Sequence, residues 1–379
     1  MILFSIYDDL WMCRMISEAS KTLDGEALFC CWNNGFHRMK ELGHNNIIDV
    51  MSVHGLRPSE GLIREKLKLS FPSDERPYFW LPQYEKDVIA DAGRAWGAVK
   101  QIITDFSPDA LAIWNNLSYR GKFFGDHAPE FVKRIAFERG PLPNTIQAGE
   151  GILADLGIDS TINPSDASVN RASLLIKDYK DKTSHAWPED VRCTRQPIPP
   201  EIHEIDRPII LVLGQVGYDT QIIHHSDFGW DYQRFWSLVD ESWDRKGAQV
   251  VIKLHPTHTF PHMDDRALKM KDAIVTDAGD IRDWFQLPQL ARVVTVNSSA
   301  GFEALLYGIP TVTLGRNWYT SMTGVSESCL PIFMNSAIIL HDPDRSAWSP
   351  AVYHLARGIE QKKFFLSGAD FGRHLNTVL

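Results

Sequence analysis

The stretch Arg292 to Gly315, RVVTVNSSAGFEALLYGIPTVTLG, limits the folds open to this chain more than any other. It reads as a strand over Val293–Val296, a polar turn Asn297-Ser298-Ser299, a helix over Gly301–Tyr307, a Gly-Ile-Pro break and a second strand over Thr311–Leu314. Two short apolar runs joined through a helix make a βαβ unit, and such a unit needs a parallel sheet. Its turn presents unpaired N–H groups and two serine hydroxyls at a helix start. Orphan donors and the helix dipole both favour an anion there. Glu303, one helical turn in, is placed to reach a sugar hydroxyl of whatever carries that anion. An ordinary serine-capped helix gives the same local pattern, so the rest of the chain has to decide.

Strand-like and helix-like segments alternate on both sides of this unit. In the N-terminal half the expected strands are Ile2–Ile6, Ala27–Cys31, the run Ile47–Val53, Ala110–Trp114 and Arg134–Phe137. Helices are expected over Trp11–Leu23, His37–Leu42, Asp87–Phe106 and Ala128–Lys133. The charged, proline-bearing section Arg57–Pro82 reads as an insertion or lid. After a weaker region with a helix near Ser168–Lys180, Gln196-Pro197-Ile198-Pro199-Pro200 forms an extended break suited to a hinge. The pattern resumes with strands Ile209–Leu213, Gln249–Leu254 and Ala273–Thr276, helices Tyr232–Asp244 and Ile281–Phe285, and a helical end over Ala347–Gly368. A length of 379 residues suits two domains of similar size. The expected fold is α/β, with two Rossmann-like domains and a cleft between them. Residues 1–195 form the first, 196–207 the hinge, 208–345 the second, and 346–379 a helical segment packing back on the first.

Hydrophobic residues at 44% and charged residues at 23% fit a globular protein in water. A net charge of −9 argues against a nucleic-acid partner. The five cysteines show no metal-ligand or disulfide spacing, which points to a reducing cytoplasm and away from a structural metal. No signal peptide or membrane-spanning run is expected. The sequence contains no GxGxxG, GK[ST] P-loop, GxSxG or HExxH motif.

Three further stretches fall at strand ends, where doubly wound sheets hold ligands. VVIKLHP delivers Lys253 and His255, a pair suited to gripping a phosphate and easing its departure as a leaving group. His258 and His262 follow without metal-site spacing. ILVLGQVGYDTQ runs from an apolar strand into a glycine-punctuated loop with Gln215 and Asp219. An acid there faces the cleft as nucleophile, base or sugar-hydroxyl acceptor, although a helix-capping aspartate is the commoner use. FERGPLPNT presents Glu138 on a proline-stiffened loop of the first domain, opposite Asp219. Carboxylates on opposite walls of a cleft are what glycosyl transfer with acid/base help requires.

Together GQVGYDTQ, KLHP, VNSSAGFEALLYGIPTVTLG and ERGPLPNT resemble the bacterial capsule and O-antigen Kdo (3-deoxy-D-manno-oct-2-ulosonic acid) transferases, two-domain GT-B-type enzymes that use CMP-Kdo. The resemblance covers roughly residues 110–320. It implies a GT-B-like fold with C-terminal helices crossing back. It also implies transfer of Kdo to a saccharide or lipid-linked oligosaccharide acceptor in capsule, O-antigen or lipopolysaccharide synthesis, with retention through a covalent carboxylate intermediate. By the same resemblance, Asp219 is the nucleophile and Glu138 the acid/base. Lys253 and His255 hold the CMP phosphate, Ser298 and Ser299 cradle it, Glu303 takes the ribose, and Gln215 orients the donor carboxylate or the nucleophile. No metal or cofactor is expected beyond the CMP-Kdo donor. The protein is expected in the cytoplasm, at the inner-membrane surface where a lipid-linked acceptor requires it, alongside other polysaccharide-assembly enzymes. The competing readings are a GT-B transferase using another CMP-, UDP- or GDP-sugar, a sugar-nucleotide epimerase of the same shape, and a non-catalytic polysaccharide-assembly protein.

Overall fold

A computed structural model describes the chain except residues 8, 71–81, 117, 143–144, 150–157, 160, 182–195, 217–218, 229–230, 244, 256–264, 320–348 and 379. Short runs of apolar, β-branched or aromatic residues build two separate sheets, whose central strands are buried on both faces. The first holds β1 (Ile2–Ile6), β2 (Ala27–Cys31), β3 (Ile47–Asp49), β4 (Ala110–Trp114), β5 (Lys133–Arg139), β6 (Ile146–Gly149) and β12 (Phe364–Phe365), in the order β12-β6-β5-β4-β1-β2-β3. The second holds β7 (Ile209–Leu213), β8 (Gln249–Lys253), β9 (Ile274–Thr276), β10 (Leu290–Thr295) and β11 (Thr311–Thr313), in the order β11-β10-β7-β8-β9. All pairings in the second sheet are parallel. In the first sheet, β6 and β12 run antiparallel at one edge.

Strand order reverses beside the first strand of each sheet. In the second sheet the switch lies between β7 and β10, whose carboxyl ends open a crevice of the kind that receives ligands in doubly wound folds.

Helices cover both sheets. In the first half these include α1 (Leu10–Ser20), α2 (Gly35–Glu41), α3 (Glu60–Ser70), α4 (Pro82–Phe106), α5 (Tyr119–His127) and α6 (Asp166–Asp181). In the second half they include α7 (Pro200–His203), α8 (Thr220–His225), α9 (Tyr232–Ser242), α10 (Asp265–Leu268), α11 (Ile281–Phe285) and α12 (Ser299–Leu306). The C-terminal segment crosses back to the first sheet, as expected. There α13 (Ser349–Glu360) packs on α6, β12 joins the sheet edge, and α14 (Gly368–Val378) lies along α1. One apolar cluster joins the two halves: Ala136 and Tyr179 from the first, Phe302 and Tyr319 from the second, and Leu355 and Phe364 from the returning segment.

Several local expectations are corrected. A helix stands at Tyr119–His127 rather than at Ala128–Lys133. Ala128 precedes Pro129 and is extended, with ψ 138°, because a proline disfavours the helical region for the residue before it. The run Ile47–Val53 is a three-residue strand followed by a 3-10 turn over Val50–Ser52. Within the expected insertion Arg57–Pro82, Glu60–Ser70 is a helix whose Ile63 and Leu67 enter the core beneath α4; positions 71–81 lie outside the described residues. The expected helix Ala347–Gly368 is a helix followed by the strand β12. No helix among the described residues is long and apolar enough to cross a membrane.

Candidate active site

The crevice between β7 and β10 is stitched together by one polar network. Gly214 lets β7 leave the sheet over the end of β8: its N–H donates to the Lys253 carbonyl at 2.8 Å. A Cβ at that position would lie 3.2 Å from both that oxygen and Leu254 Cα. The next residue, Gln215, is buried, and its backbone N–H donates to Tyr232 Oη at 2.8 Å. Its carboxamide oxygen accepts from Thr295 Oγ1 at 3.0 Å and from the Asn297 N–H at 2.9 Å, while Nε2 donates to Asn297 Oδ1 at 3.1 Å. Asn297 Nδ2 donates in turn to the Gln221 carbonyl in α8 at 2.8 Å, and the Asn297 carbonyl accepts from Asn317. Three segments, leaving β7, β10 and β11, are thereby locked to one another. Gln215 was expected to orient the donor or the nucleophile; the structure spends its amide on holding the turn.

That turn opens α12. Ser298 is the N-cap, and its hydroxyl accepts from the Ala300 N–H at 3.2 Å. The helix begins at Ser299, which is exposed, two residues before the expected start. Tyr319 is fully buried and donates to the Ser298 carbonyl. Its approach depends on Gly301, where a Cβ would stand 2.4 Å from Tyr319 Oη.

Lys253 ends β8, is 7% exposed, and donates from Nζ to the Asp277 carbonyl at 3.2 Å. His255 follows it, half-buried, with its backbone N 3.3 Å from the Cβ position of Gly214. His258 and His262 lie outside the described residues. Asp219 caps α8, accepting from the Gln221 N–H at 2.9 Å. The commoner local use therefore holds for this residue, and it leaves the aspartate half-buried at the rim of the crevice.

Glu138 comes from the first sheet, near the end of β5. Its Oε1 accepts from Trp114 Nε1 at 2.5 Å and from the Arg139 N–H at 3.1 Å. Burial pushes its carboxyl up to about 7; the bonds from Trp114 and Arg139 and the charge of Arg139 oppose that rise, and the charge of Asp219 adds to it. Two carboxylates carried by different sheets are thus near enough to act on each other. Arg139 itself pairs with Asp9.

Glu303 stands apart from this pair. It accepts from Tyr179 of α6, and burial raises its carboxyl to about 7, opposed by that bond. Asp280 adds to the rise and Arg282 opposes it; these two are joined at 3.0 Å at the start of α11. The structure therefore places Gln215, Ser298 and Ser299 at the carboxyl ends of β7 and β10, and Lys253 and His255 at the end of the neighbouring β8, with the Lys253 amine turned to the Asp277 carbonyl beyond β9. Asp219 lies near enough to Glu138 for their charges to interact. The structure ties Glu303 to the first half through Tyr179. Trp114 and Tyr179 went unrecognised in the sequence, and Asn297 was read only as part of the polar turn; a tryptophan ending a buried strand next to Asn115-Asn116 was the available signal for the first of these. Among the described residues no three His, Cys, Asp or Glu side chains gather as a metal-binding group.

The capsule polysaccharide biosynthesis protein family matches residues 193–344, which hold every element of this crevice. A stretch of 252 residues aligns at 25% identity with Protein FixF of Sinorhizobium fredii, covering 64% of this chain and 56% of that protein. A stretch of 135 residues aligns at 30% identity with the capsule polysaccharide export protein KpsS of Escherichia coli, covering 33% of this chain and 34% of that protein. The matches therefore span about half of one curated relative and a third of the other. Among solved structures, the β-Kdo 2,7-transferase of Thermosulfurimonas dismutans KpsC aligns with 74% of this chain and 89% of its own, at 18% identity and a TM-score of 0.44. The capsule segment thus bears out the family resemblance drawn from GQVGYDTQ, KLHP and VNSSAGFEALLYGIPTVTLG.

Proposed function

We propose that the chain is a glycosyltransferase of capsule-type polysaccharide assembly that moves Kdo from CMP-Kdo to a saccharide acceptor with retention. The observation that carries this reading is the pairing of Asp219 and Glu138. One caps a helix beside the crevice; the other enters from the opposite sheet with its carboxyl raised to about 7 by burial. A carboxylate nucleophile and a near-neutral acid/base are the two carboxyl roles that retaining transfer needs.

The phosphate of the nucleotide sugar sits at the Ser298–Ser299 turn, where the N-terminal N–H groups of α12, Lys253 and His255 neutralise it. The bond from the anomeric carbon to the phosphate oxygen breaks, and its electron pair leaves with CMP. An Asp219 carboxylate oxygen bonds to the anomeric carbon, which has no hydrogen and carries positive charge readily. An acceptor hydroxyl then attacks that carbon, the Asp219 ester bond breaks back to carboxylate, and the hydroxyl proton passes to Glu138. No step calls on a metal or cofactor. Glu303 takes the ribose after exchanging Tyr179 for it. The acceptor is a saccharide or a lipid-linked oligosaccharide.

Donor choice is tested by incubating the full chain with CMP-Kdo, CMP-sialic acid, UDP-glucose and GDP-mannose in turn and following nucleotide release. Release from CMP-Kdo alone, lost in Asp219→Asn, is the expected result. Release from a UDP- or GDP-sugar instead assigns another donor. Binding of none of them, by a folded protein, favours a non-catalytic role in polysaccharide assembly.

A further inference from the structure

Gln147 lies directly across from Glu138 in the antiparallel pair of β5 and β6. Cross-strand partners share one face of a sheet, with Cβ atoms roughly 5 Å apart. The same register places Phe364 on the other side of Gln147. The row Glu138–Gln147–Phe364 therefore crosses the face that carries Ala136 and the apolar cluster joining the two halves. In that position Gln147 is only 9% exposed, and its carboxamide oxygen is buried without a hydrogen-bond partner among the described residues. An orphan carbonyl in such a place is costly, and it calls for a donor that is present in some other state of the molecule.

Glu138 supplies that donor. Its Oε1 already holds two bonds, from Trp114 and from Arg139. While ionised, the carboxylate offers only acceptors and has nothing to give Gln147. Once protonated it gains an O–H group. We propose that Gln147 is a positioning residue that accepts the hydrogen bond of protonated Glu138. When the acceptor hydroxyl gives up its proton, the proton settles on Glu138 facing the Gln147 carbonyl, from which it later leaves to solvent. Trp114 and Arg139 favour the ionised form, and Gln147 favours the protonated one. The two sets of bonds hold the carboxyl near the middle of its range rather than locked in either state. The charged groups around Glu138 are Arg139 on its own strand, Asp219 across the crevice, and Asp9 bound to Arg139. Tyr7 at the end of β1 also feels its charge.

This assignment rests on reading Glu138 as the acid/base. Its test is the titration of Glu138, followed by NMR of protein labelled at the glutamate side-chain carboxyl carbon and assigned with Glu138→Gln. The expected result is a midpoint lower by about half to one pH unit in Gln147→Met or Gln147→Leu, since one hydrogen bond to the protonated form is lost. In Gln147→Glu, which puts a second carboxylate alongside, the midpoint rises. A wild-type midpoint in the apolar variants overturns the assignment. If those variants fail to fold, an unmoved midpoint in Gln147→Glu overturns it. Full transfer activity in Glu138→Gln would instead remove the acid/base role and leave the titration result standing, so the two failures are separable.

Discussion

Replacing Gln215 by Leu separates a residue that holds the crevice together from one that grips the donor. The substitution keeps much of the side-chain volume and deletes three hydrogen bonds, at 2.9, 3.0 and 3.1 Å. The groups left behind have no route to water: Thr295 is 0% and Asn297 2% exposed. An orphaned buried donor costs about 1–3 kcal/mol, and two are created here, the Asn297 N–H and the Thr295 hydroxyl. Allowing for the apolar gain of leucine, the expected loss is about 3 kcal/mol. Urea unfolding followed by tryptophan fluorescence reads it directly, because Trp236 and Trp284 are fully buried in the second half. The midpoint should fall with the slope unchanged. Asn297→Ala should destabilise as well, and the double variant by about 1 kcal/mol or more less than the sum, because the two residues bond to each other. A loss below about 1 kcal/mol in Gln215→Leu, accompanied by loss of CMP binding, would refute the strut role and return Gln215 to the donor.

Three other outcomes follow from the same contacts. Trp114→Phe removes the Nε1 donor to Glu138, so the acid limb of the kcat/KM profile should move from about 7 to higher pH by roughly one unit; a limb that stays put would show that Glu138 does not govern it. Gly301→Ala sets a methyl group 2.4 Å from Tyr319 Oη and should cost about 1–3 kcal/mol in urea unfolding, with the bond to Ser298 broken. Glu303 has a folded-state carboxyl raised from 4.5 to about 7, so the native state holds a proton that the unfolded chain releases. Its stabilising contribution is therefore largest below 4.5 and is lost as pH rises through 7. Stability of the wild type relative to Glu303→Gln should fall as pH is raised from 5 to 8 in paired urea titrations, and parallel curves would contradict the shift.

Strands buried on both faces were the most legible parts of the chain. Ile2–Ile6, Ala27–Cys31, Ala110–Trp114 and Ile209–Leu213 stand where their apolar runs place them, because a parallel strand covered by helices has no polar face to blur the pattern. The helix Tyr119–His127 was illegible: YRGKFFGDH has no apolar period, and its face is set by packing on α4. The strands IQAG and FF are too short to announce themselves: IQAG exists because it pairs with β5 on one side and with FF on the other, and FF because the returning C-terminal segment lays it against IQAG. At the crevice, the loop and turn residues could be read from strand ends and glycines. The bond from Tyr179 to Glu303 could not, since it spans 124 positions and depends on how the two halves meet.

The central claim is that Asp219 carries the sugar during transfer. Its most direct test is intact-protein mass spectrometry after brief incubation with freshly made CMP-Kdo, comparing the wild type, Glu138→Gln and Asp219→Asn. A Kdo-sized mass increase on the wild type or on Glu138→Gln, mapping to the peptide that contains Asp219 and missing from Asp219→Asn, is the predicted result. The same increase on Asp219→Asn, or on a peptide elsewhere in the chain, would contradict it.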